Sequence, residues 1–172
     1  HPSHDRIGAI LTAGRRAADL VSELLAFSRK QLIQPVPLDL GEHLEGMMDV
    51  IQRLAGPAIT VTIHADPALP KIKADSDQME QLVLNLALNA VAAIRDRSAT
   101  EPGTITISAE PVNLEDRLAS ENAQIEPGTY VQMSVRDDGT GIPEDIMPLI
   151  FEPFFTTREV GRGSGLGLAA VH

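Results

Sequence analysis

Three groups of residues in this 172-residue chain have types and spacings suited to chemistry, and a fourth is conspicuous for its composition. Asp137-Asp138-Gly139-Thr140-Gly141-Ile142-Pro143 sets a carboxylate beside a glycine turn. An acid there can accept a hydrogen bond from an adenine amino group, whereas guanine presents a carbonyl at the same place and is repelled. Gly139 and Gly141 permit tight turns and close approach of a ligand. Further on, Gly163-Ser164-Gly165-Leu166-Gly167-Leu168 is a glycine run that opens into a predicted helix. Free N–H groups at a helix start attract phosphate through geometry and dipole. Arg158 and Arg162 flank that run and suit phosphate oxygens. Asn85 and Asn89 stand one turn apart on a predicted helix, and neutral amide oxygens suit a hard cation already ligated by phosphate. Three of the four phenylalanines fall within residues 151–155. Each pattern taken alone has a plainer reading: an Asp-Gly turn, a flexible linker, surface arginines, a solvated polar stripe.

The elements that must position these groups follow from periodicity. Residues 77–97 predict a helix on which, at about 100° per residue, Gln78, Gln81, Asn85, Asn89 and Asp96 share one arc. Leu82, Val83, Leu86, Ala90 and Ile94 occupy the neighbouring, core-facing arc. Tyr130–Arg136 alternates like a strand and delivers Asp137 to a sheet end. Thr104–Ala109, Ile59–His64 and the short Lys71–Ala74 are further strands, and residues 38–54 are a helix buried through Leu40, Leu44, Met47, Met48 and Ile51. The acidic segment 112–127 reads as an excursion or loop. Pro143 followed by Glu144 and Asp145 predicts a short helix. Residues 152–164, with little periodicity, predict a mobile lid.

Residues 5–33 predict one long helix ended by Pro35 and Pro37. Ile7, Leu11, Gly14, Ala18, Val21, Leu25, Ser28 and Leu32 alternate spacings of four and three, the seam of a helical bundle. The order of elements implies an α+β fold, with helices on one face of a largely antiparallel sheet.

Composition narrows the partners. The net charge is −10. Residues 1–34 carry five basic and three acidic side chains, so the remaining nine basic and twenty-one acidic give the body a balance of −12. An acidic body argues against nucleic acid. It also makes a polyphosphate an awkward ligand unless a cation and a few arginines screen it. The absence of cysteine excludes disulfides and thiolate metal sites and fits a cytoplasmic setting. No apolar run reaches membrane-span length and no signal-peptide pattern is present.

Co-occurrence in order changes the weight of these patterns. Asn85-x-x-x-Asn89, then Asp137-x-Gly139-x-Gly141, then Phe151-Glu-Pro-Phe154-Phe155, then Gly163-x-Gly165-Leu166-Gly167-Leu168 resembles the N, G1, F and G2 boxes of the sensor histidine kinases of two-component signalling. Leu24-Leu25-Ala26-Phe27-Ser28-Arg29 resembles the end of the second helix of that family's dimerisation domain, so the likeness spans about residues 24–172.

The resemblance implies residues 1–34 as part of the dimerisation and phospho-acceptor domain. It implies residues 35–172 as the ATP-binding catalytic domain, a two-layer α/β sandwich of the Bergerat type shared with gyrase, Hsp90 and MutL. It further implies Asn89 at Mg²⁺, Asn85 at Mg²⁺ or phosphate, Asp137 at the adenine amino group, and Gly139, Gly141 and Ile142 among the ATP-binding positions. Phe155, Thr157, Arg158, Arg162, Gly163, Ser164, Gly165, Leu166, Gly167 and Leu168 complete the implied ATP-binding set, with the glycines at the phosphates and lid and the phenylalanine cluster anchoring the lid against the domain or contacting the bundle. The expected reaction is transfer of the ATP γ-phosphoryl to a histidine, for relay to an aspartate on a response-regulator receiver domain. The expected assembly is a homodimer through residues 5–33.

Members that hydrolyse ATP tend to carry Glu where Asn85 stands, and an amide cannot take a proton from water. The alternatives are an ATPase switch of the same superfamily or a non-catalytic dimerisation module. Three features depart from the family pattern. His4-Asp5 only imitates the start of the acceptor motif, so no acceptor histidine is identified. Ala92 stands where some members place a basic residue. Relatives continue past the G2 box, so strands are expected to be missing after His172. The parent protein is compatible with a membrane anchor elsewhere.

Overall fold

The computed structural model describes residues 34–98, 100–114, 119–120, 123–124, 128–157 and 165–169. The helix predicted over residues 5–33 lies outside the described residues. The described residues belong to two units, Gln34–Gly141 and a second beginning at Ile142.

In the first unit, strand β1 (Val36–Leu38) leads into helix α1 (Leu40–Ala55). Asp39 caps α1, its Oδ1 accepting the Glu42 N–H at 3.2 Å. Gly56, at φ 82°, closes the other end with its N–H donated to the Gln52 carbonyl. Leu40, Leu44, Met47, Ile51 and Ala55 recur at helical spacing and are all buried. The strand takes Leu38, which the sequence assigns to the helix, because Asp39 is the better cap. Strand β2 (Ile59–Ala65) and strand β3 (Ile72–Ala74) precede helix α2 (Ser76–Arg97). Asp75 caps α2 by accepting the N–H groups of Asp77 and Gln78, and it also accepts the Gln34 N–H at 2.9 Å. Strand β4 (Gly103–Leu114) and strand β7 (Gly128–Asp137) are joined by a segment that contains the short paired strands β5 (Ala119–Ser120) and β6 (Ala123–Gln124). The predicted 112–127 excursion is thus shorter than expected, because β4 and β7 pair as far as Leu114 and Gly128.

The main sheet has the order β2-β4-β7, and β1 pairs with β3 in a separate two-stranded ribbon. β4 and β7 are antiparallel, but β2 and β4 are parallel, with Ile59 opposite Gly103 and Ala65 opposite Ala109. The sheet is therefore mixed rather than largely antiparallel. The cause is the crossover through β3 and α2, which returns the chain to the same end of the sheet. Pro111, with no N–H to donate, falls beyond the end of β2, where β4 pairs with β7 alone.

One face of the sheet meets the helices. Ile59, Val61, Ile105, Ile107 and Ala109 are buried there with the apolar faces of α1 and α2, and Val131, Met133 and Val135 pack against the same core. The other face carries hydroxyls, with Thr62 bonded to Thr106 at 3.3 Å and Ser108 to Ser134 at 2.8 Å. This is the two-layer α/β sandwich. The deepest stripe of α2 runs through Val83, Ala87, Ala90, Val91 and Ile94, while Leu82 and Leu86 are only half-buried at its flank. Small side chains at Ala87 and Ala90 let the helix lie close on the core, a role that counting leucines overlooks.

Gln52 secures the open side of β2. Its Nε2 donates to the carbonyls of Gly56 (3.2 Å) and Ile59 (2.9 Å), and its Oε1 accepts the Val61 N–H at 3.2 Å. The Ile59 carbonyl and the Val61 N–H are edge-strand groups that would otherwise be unpaired, whereas the Gly56 carbonyl also accepts the Ile59 N–H at 3.4 Å.

The described residues of the second unit form turns. Ile146, Leu149, Glu152 and Phe155 each donate a backbone N–H to the carbonyl three residues earlier, around the 3₁₀ turn Met147–Leu149. The short helix predicted after Pro143 is replaced by this series. Pro148 and Pro153 have no N–H, and a period of three lets the donors avoid both positions.

Gln52→Ala is expected to lower the unfolding free energy by about 1–3 kcal/mol in urea titration, and Gln52→Glu at least as much, because a carboxylate oxygen would face the two carbonyls; an unchanged midpoint for Gln52→Ala contradicts the clamp. The Asp75 carboxyl is held below the usual aspartate range, first by the Gln34 N–H and then by that of Gln78. A depressed folded-state pKa contributes stability that is complete above the unfolded value, near 4, and is lost as the pH falls through the folded one. Asp75→Asn is therefore expected to flatten the acid limb of a stability–pH profile below about pH 4, while a limb as steep as the parent's would remove Asp75 as its source.

Candidate functional site

The acid of the glycine turn stands where β7 leaves the sheet. Strand alternation puts Asp137 on the same face as Val131, Met133 and Val135, the face toward the helices. The ladder between β4 and β7 ends at the pair Ile105–Asp137. Beyond it the Thr104 N–H is taken by the side chain of Asp138, at 3.0 Å, so the strand terminates in its own carboxylate. Asp137 is half-buried, and its Oδ1 accepts the Gly139 N–H at 2.8 Å. That Asx turn bends the chain onto α2, where Thr140 donates its N–H to the Ala93 carbonyl at 3.3 Å. Gly139 rests directly on that helix, since an added Cβ would stand 2.5 Å from the Ala93 carbonyl carbon and 2.6 Å from its Cβ. Gly141 is left-handed, at φ 72°.

Ala93 belongs to the same row of α2 as the asparagines, at positions 85, 89 and 93. Asn89 is therefore about 6 Å, and Asn85 about 12 Å, along the helix axis from the peptide that supports the turn. Both asparagines are half-buried on the flank of the helix. Asn85 Oδ1 accepts a bond from Gln81 Nε2 at 2.8 Å. Among the described residues no group of three His, Asp or Glu side chains could hold a metal. A cation here would take one or two amide oxygens and draw its other ligands from a bound phosphate. A shallow concavity of about 420 Å³ lined by Asp49, Gln52, Arg53, Gly56 and Pro57 contains none of these residues.

Two residues that sequence reasoning passed over organise the turn. Arg97, in the last turn of α2, donates to the Asp138 carbonyl, to Asp138 Oδ2 at 3.2 Å and to the Pro102 carbonyl at 2.8 Å. The Asp138 carboxyl is held below the usual aspartate range, chiefly by the Thr104 N–H and then by Arg97. The doubled acid Asp137-Asp138 was the available signal for Asp138, but only the end of the β4–β7 ladder shows that its carboxylate takes the Thr104 N–H.

The second unit carries Ile142, Phe155, Thr157, Gly165, Leu166, Gly167 and Leu168. Arg158, Arg162, Gly163 and Ser164, with most of the predicted lid, lie outside the described residues. Ile142 and Thr157 are exposed, Phe155, Gly167 and Leu168 are half-buried, and Leu166 is buried. Phe154 donates its N–H to the Gly165 carbonyl at 3.0 Å. The two backbones are so close that a Cβ on Gly165, itself at φ 69°, would stand 2.4 Å from the Phe154 carbonyl carbon. Phe154 also takes a left-handed φ of 69°, which is costly for a residue with a side chain. The phenylalanine segment and the glycine run are thus bound to each other through main chain. Gly167–Ala169 form a turn, and the helix predicted after the run otherwise falls outside the described residues.

Residues 74–172 match the family of histidine kinase-, DNA gyrase B- and HSP90-like ATPases. The match covers more than half of the chain, and the chain belongs to that family. Within it the chain is an ATP-binding catalytic domain of the histidine kinase type. It is 42% identical over 171 residues to the sensor kinase CckA of Brucella abortus, an alignment covering 99% of this chain and 18% of that protein. Among solved structures, full-length ShkA in complex with AMPPNP superposes with a TM-score of 0.70 at 27% identity, over 99% of this chain and 33% of that one. The histidine kinase ThkA in complex with the response regulator TrrA gives 0.57 at 25% identity, over 88% of this chain and 40% of that one. The chain thus spans less than a fifth of the length of CckA.

The contrast between the two turn glycines is testable. Gly139→Ala is expected to cost about 1–3 kcal/mol of unfolding free energy, because the Ala93 backbone cannot give way. At Gly141 a Cβ meets nothing within 4 Å, so only the left-handed backbone opposes it, at about 1 kcal/mol. Urea titrations in which Gly141→Ala is the more damaging change would contradict the docking of the turn on α2.

Proposed function

We propose that the chain is the phosphoryl-donor part of a two-component sensor histidine kinase. It binds ATP with Mg²⁺ and presents the γ-phosphoryl to a histidine nitrogen. The nitrogen forms the new bond to phosphorus as the bond to the ADP oxygen breaks, and the phosphoryl then passes to an aspartate of a response-regulator receiver domain. Family membership and the AMPPNP complex of ShkA support the nucleotide, and the complex of ThkA with TrrA supports the class of partner. Residues 1–34 are assigned to the dimerisation domain of the parent protein, with the homodimer formed through residues 5–33 and the catalytic domain in the cytoplasm. Among the described residues no helix is long and apolar enough to cross a membrane.

The observation that carries the reading is the state of Asp137. One carboxylate oxygen is committed to the Gly139 N–H, and Oδ2 has no protein partner among the described residues. A half-buried acceptor of fixed direction suits an exocyclic amino group and opposes a carbonyl at the same place. Asn89 is the better of the two amides for Mg²⁺, because Asn85 Oδ1 already receives Gln81. Bound Mg²⁺ would neutralise charge on the phosphates. The protein's own contribution is position: base end and phosphate end are both referenced to α2. Asn85 offers no proton acceptor to a water, which favours transfer to a histidine over hydrolysis. In the second unit, Gly165 and its neighbours, with Arg158 and Arg162, are assigned to the phosphates.

Asp137→Asn tests the assignment with unusual selectivity. Held by the Gly139 N–H through its oxygen, the amide would point its NH₂, a donor, at the amino group of adenine. ATP affinity is expected to fall about ten- to hundred-fold in calorimetry, while inosine triphosphate, with a carbonyl there, gains relative to ATP. Equal ATP affinity for parent and variant would remove Asp137 from the base.

A further inference from the structure

We propose that Arg97 and Asp138 are positioning residues for nucleotide binding: their hydrogen bonds tie the end of β7 to α2 and so fix the direction in which Asp137 meets the base. The proposal rests on the reading of Asp137 as the base acceptor and adds what holds it there.

Three observations converge on the pair. First, Asp138 replaces the sheet where the ladder stops. Its Oδ1 takes the Thr104 N–H, the next residue beyond the last paired position, Ile105. Second, the Arg97 guanidinium bridges three acceptors on two segments: the Asp138 carbonyl and Asp138 Oδ2 just after β7, and the Pro102 carbonyl just ahead of β4. A planar fork suits that geometry, and a lysine ammonium, a point charge, does not. Third, Arg97 Nε is buried with no hydrogen-bond partner among the described residues. An arginine held at the cost of an unsatisfied donor is placed by something other than local comfort.

The consequence is geometric. The turn is attached to α2 at Ala93, through the Thr140 N–H, and one turn later at Arg97. Asp137 is the last ladder residue, opposite Ile105, and directly precedes this double attachment; its side-chain direction is then set by Gly139. The same helix carries Asn89 eight residues before Arg97, about 12 Å along the axis. The acid for the base and the amide for the cation are therefore spaced by one rigid element. Loosening the Arg97 end would let Asp137 swing without disturbing the core beneath.

The test uses Arg97→Gln, Arg97→Lys, Asp138→Ala and Asp138→Asn in the 172-residue chain. Mg²⁺-ADP affinity is read by calorimetry and amide hydrogen exchange by NMR. Arg97→Gln and Asp138→Ala are expected to weaken ADP binding about ten-fold and to speed exchange at Gly139, Thr140 and Thr104, while Ile107 and Val83 stay protected. Asp138→Asn is expected to stay within about three-fold of the parent, because its amide oxygen still receives Thr104 and Arg97 still reaches two carbonyls. Unchanged affinity and exchange in Arg97→Gln would overturn the proposal, as would equal loosening of Ile107, which marks general destabilisation. If Arg97→Gln does not fold, Arg97→Lys is judged by the same two readouts. Strong loss in Asp137→Asn with none in the Arg97 variants defeats the brace alone. No loss in Asp137→Asn defeats the base reading and this proposal with it.

Discussion

The close seating of the 137–141 turn on α2 is the constraint from which the site's geometry follows. Gly139 meets the Ala93 peptide with no room for a methyl group, and Thr140 bonds to the carbonyl of that same residue. A main-chain contact of this kind has few degrees of freedom. Once the helix is placed on the sheet, the end of β7 is placed as well, and Asp137 can point in only a narrow range of directions. In the proposed reading, recognition of the base by the Asp137 side chain would depend on a backbone contact that has no recognition role of its own.

That contact in turn depends on how α2 reaches its position. Asp75 caps its start, and Arg97 and Ser98 finish its end. Between them Val83, Ala87, Ala90, Val91 and Ile94 bring the helix down onto β4 and β7. Small residues matter here as much as large ones. Gly103 shows the tolerance, since a Cβ there would lie 2.4 Å from Ile94. The parallel pairing of β2 with β4 is a further result of the same helix acting as crossover. One element therefore closes the sheet topology, supplies the amides and supports the acid.

The second unit uses a different device. Its prolines forbid an α-helix, and its turns repeat at a period that avoids them. Phe154 in a left-handed conformation and Gly165, eleven positions later and in backbone contact with it, bind the two motifs together. Strain at a residue with a side chain is retained where the surroundings over-determine it, which is common at ligand-binding segments. The large exposed side chains of Phe151 and Phe154 follow from that main-chain arrangement rather than from local hydrophobic burial.

Much of this was legible from residue order. Periodicity located both described helices and the main strands, the four boxes gave the family, and the asparagine spacing put both amides on one row of α2. The sequence also indicated an acid at the end of β7, because alternation from Tyr130 to Arg136 is unambiguous. The sequence did not reveal the task of Asp138, because only the register with Ile105 and Thr104 shows it taking over at the end of the ladder while Asp137 faces the helices. Nor did it single out Arg97 or Ala93, whose roles come from partners about forty residues later. The parallel β2–β4 pairing was hidden for the same reason, since strand neighbours are chosen by how the helix between them crosses the sheet. Local pattern records what each segment prefers to be. Which backbone group meets which is decided only when those segments are packed, since contact at 3 Å depends on tertiary distance and not on order along the chain.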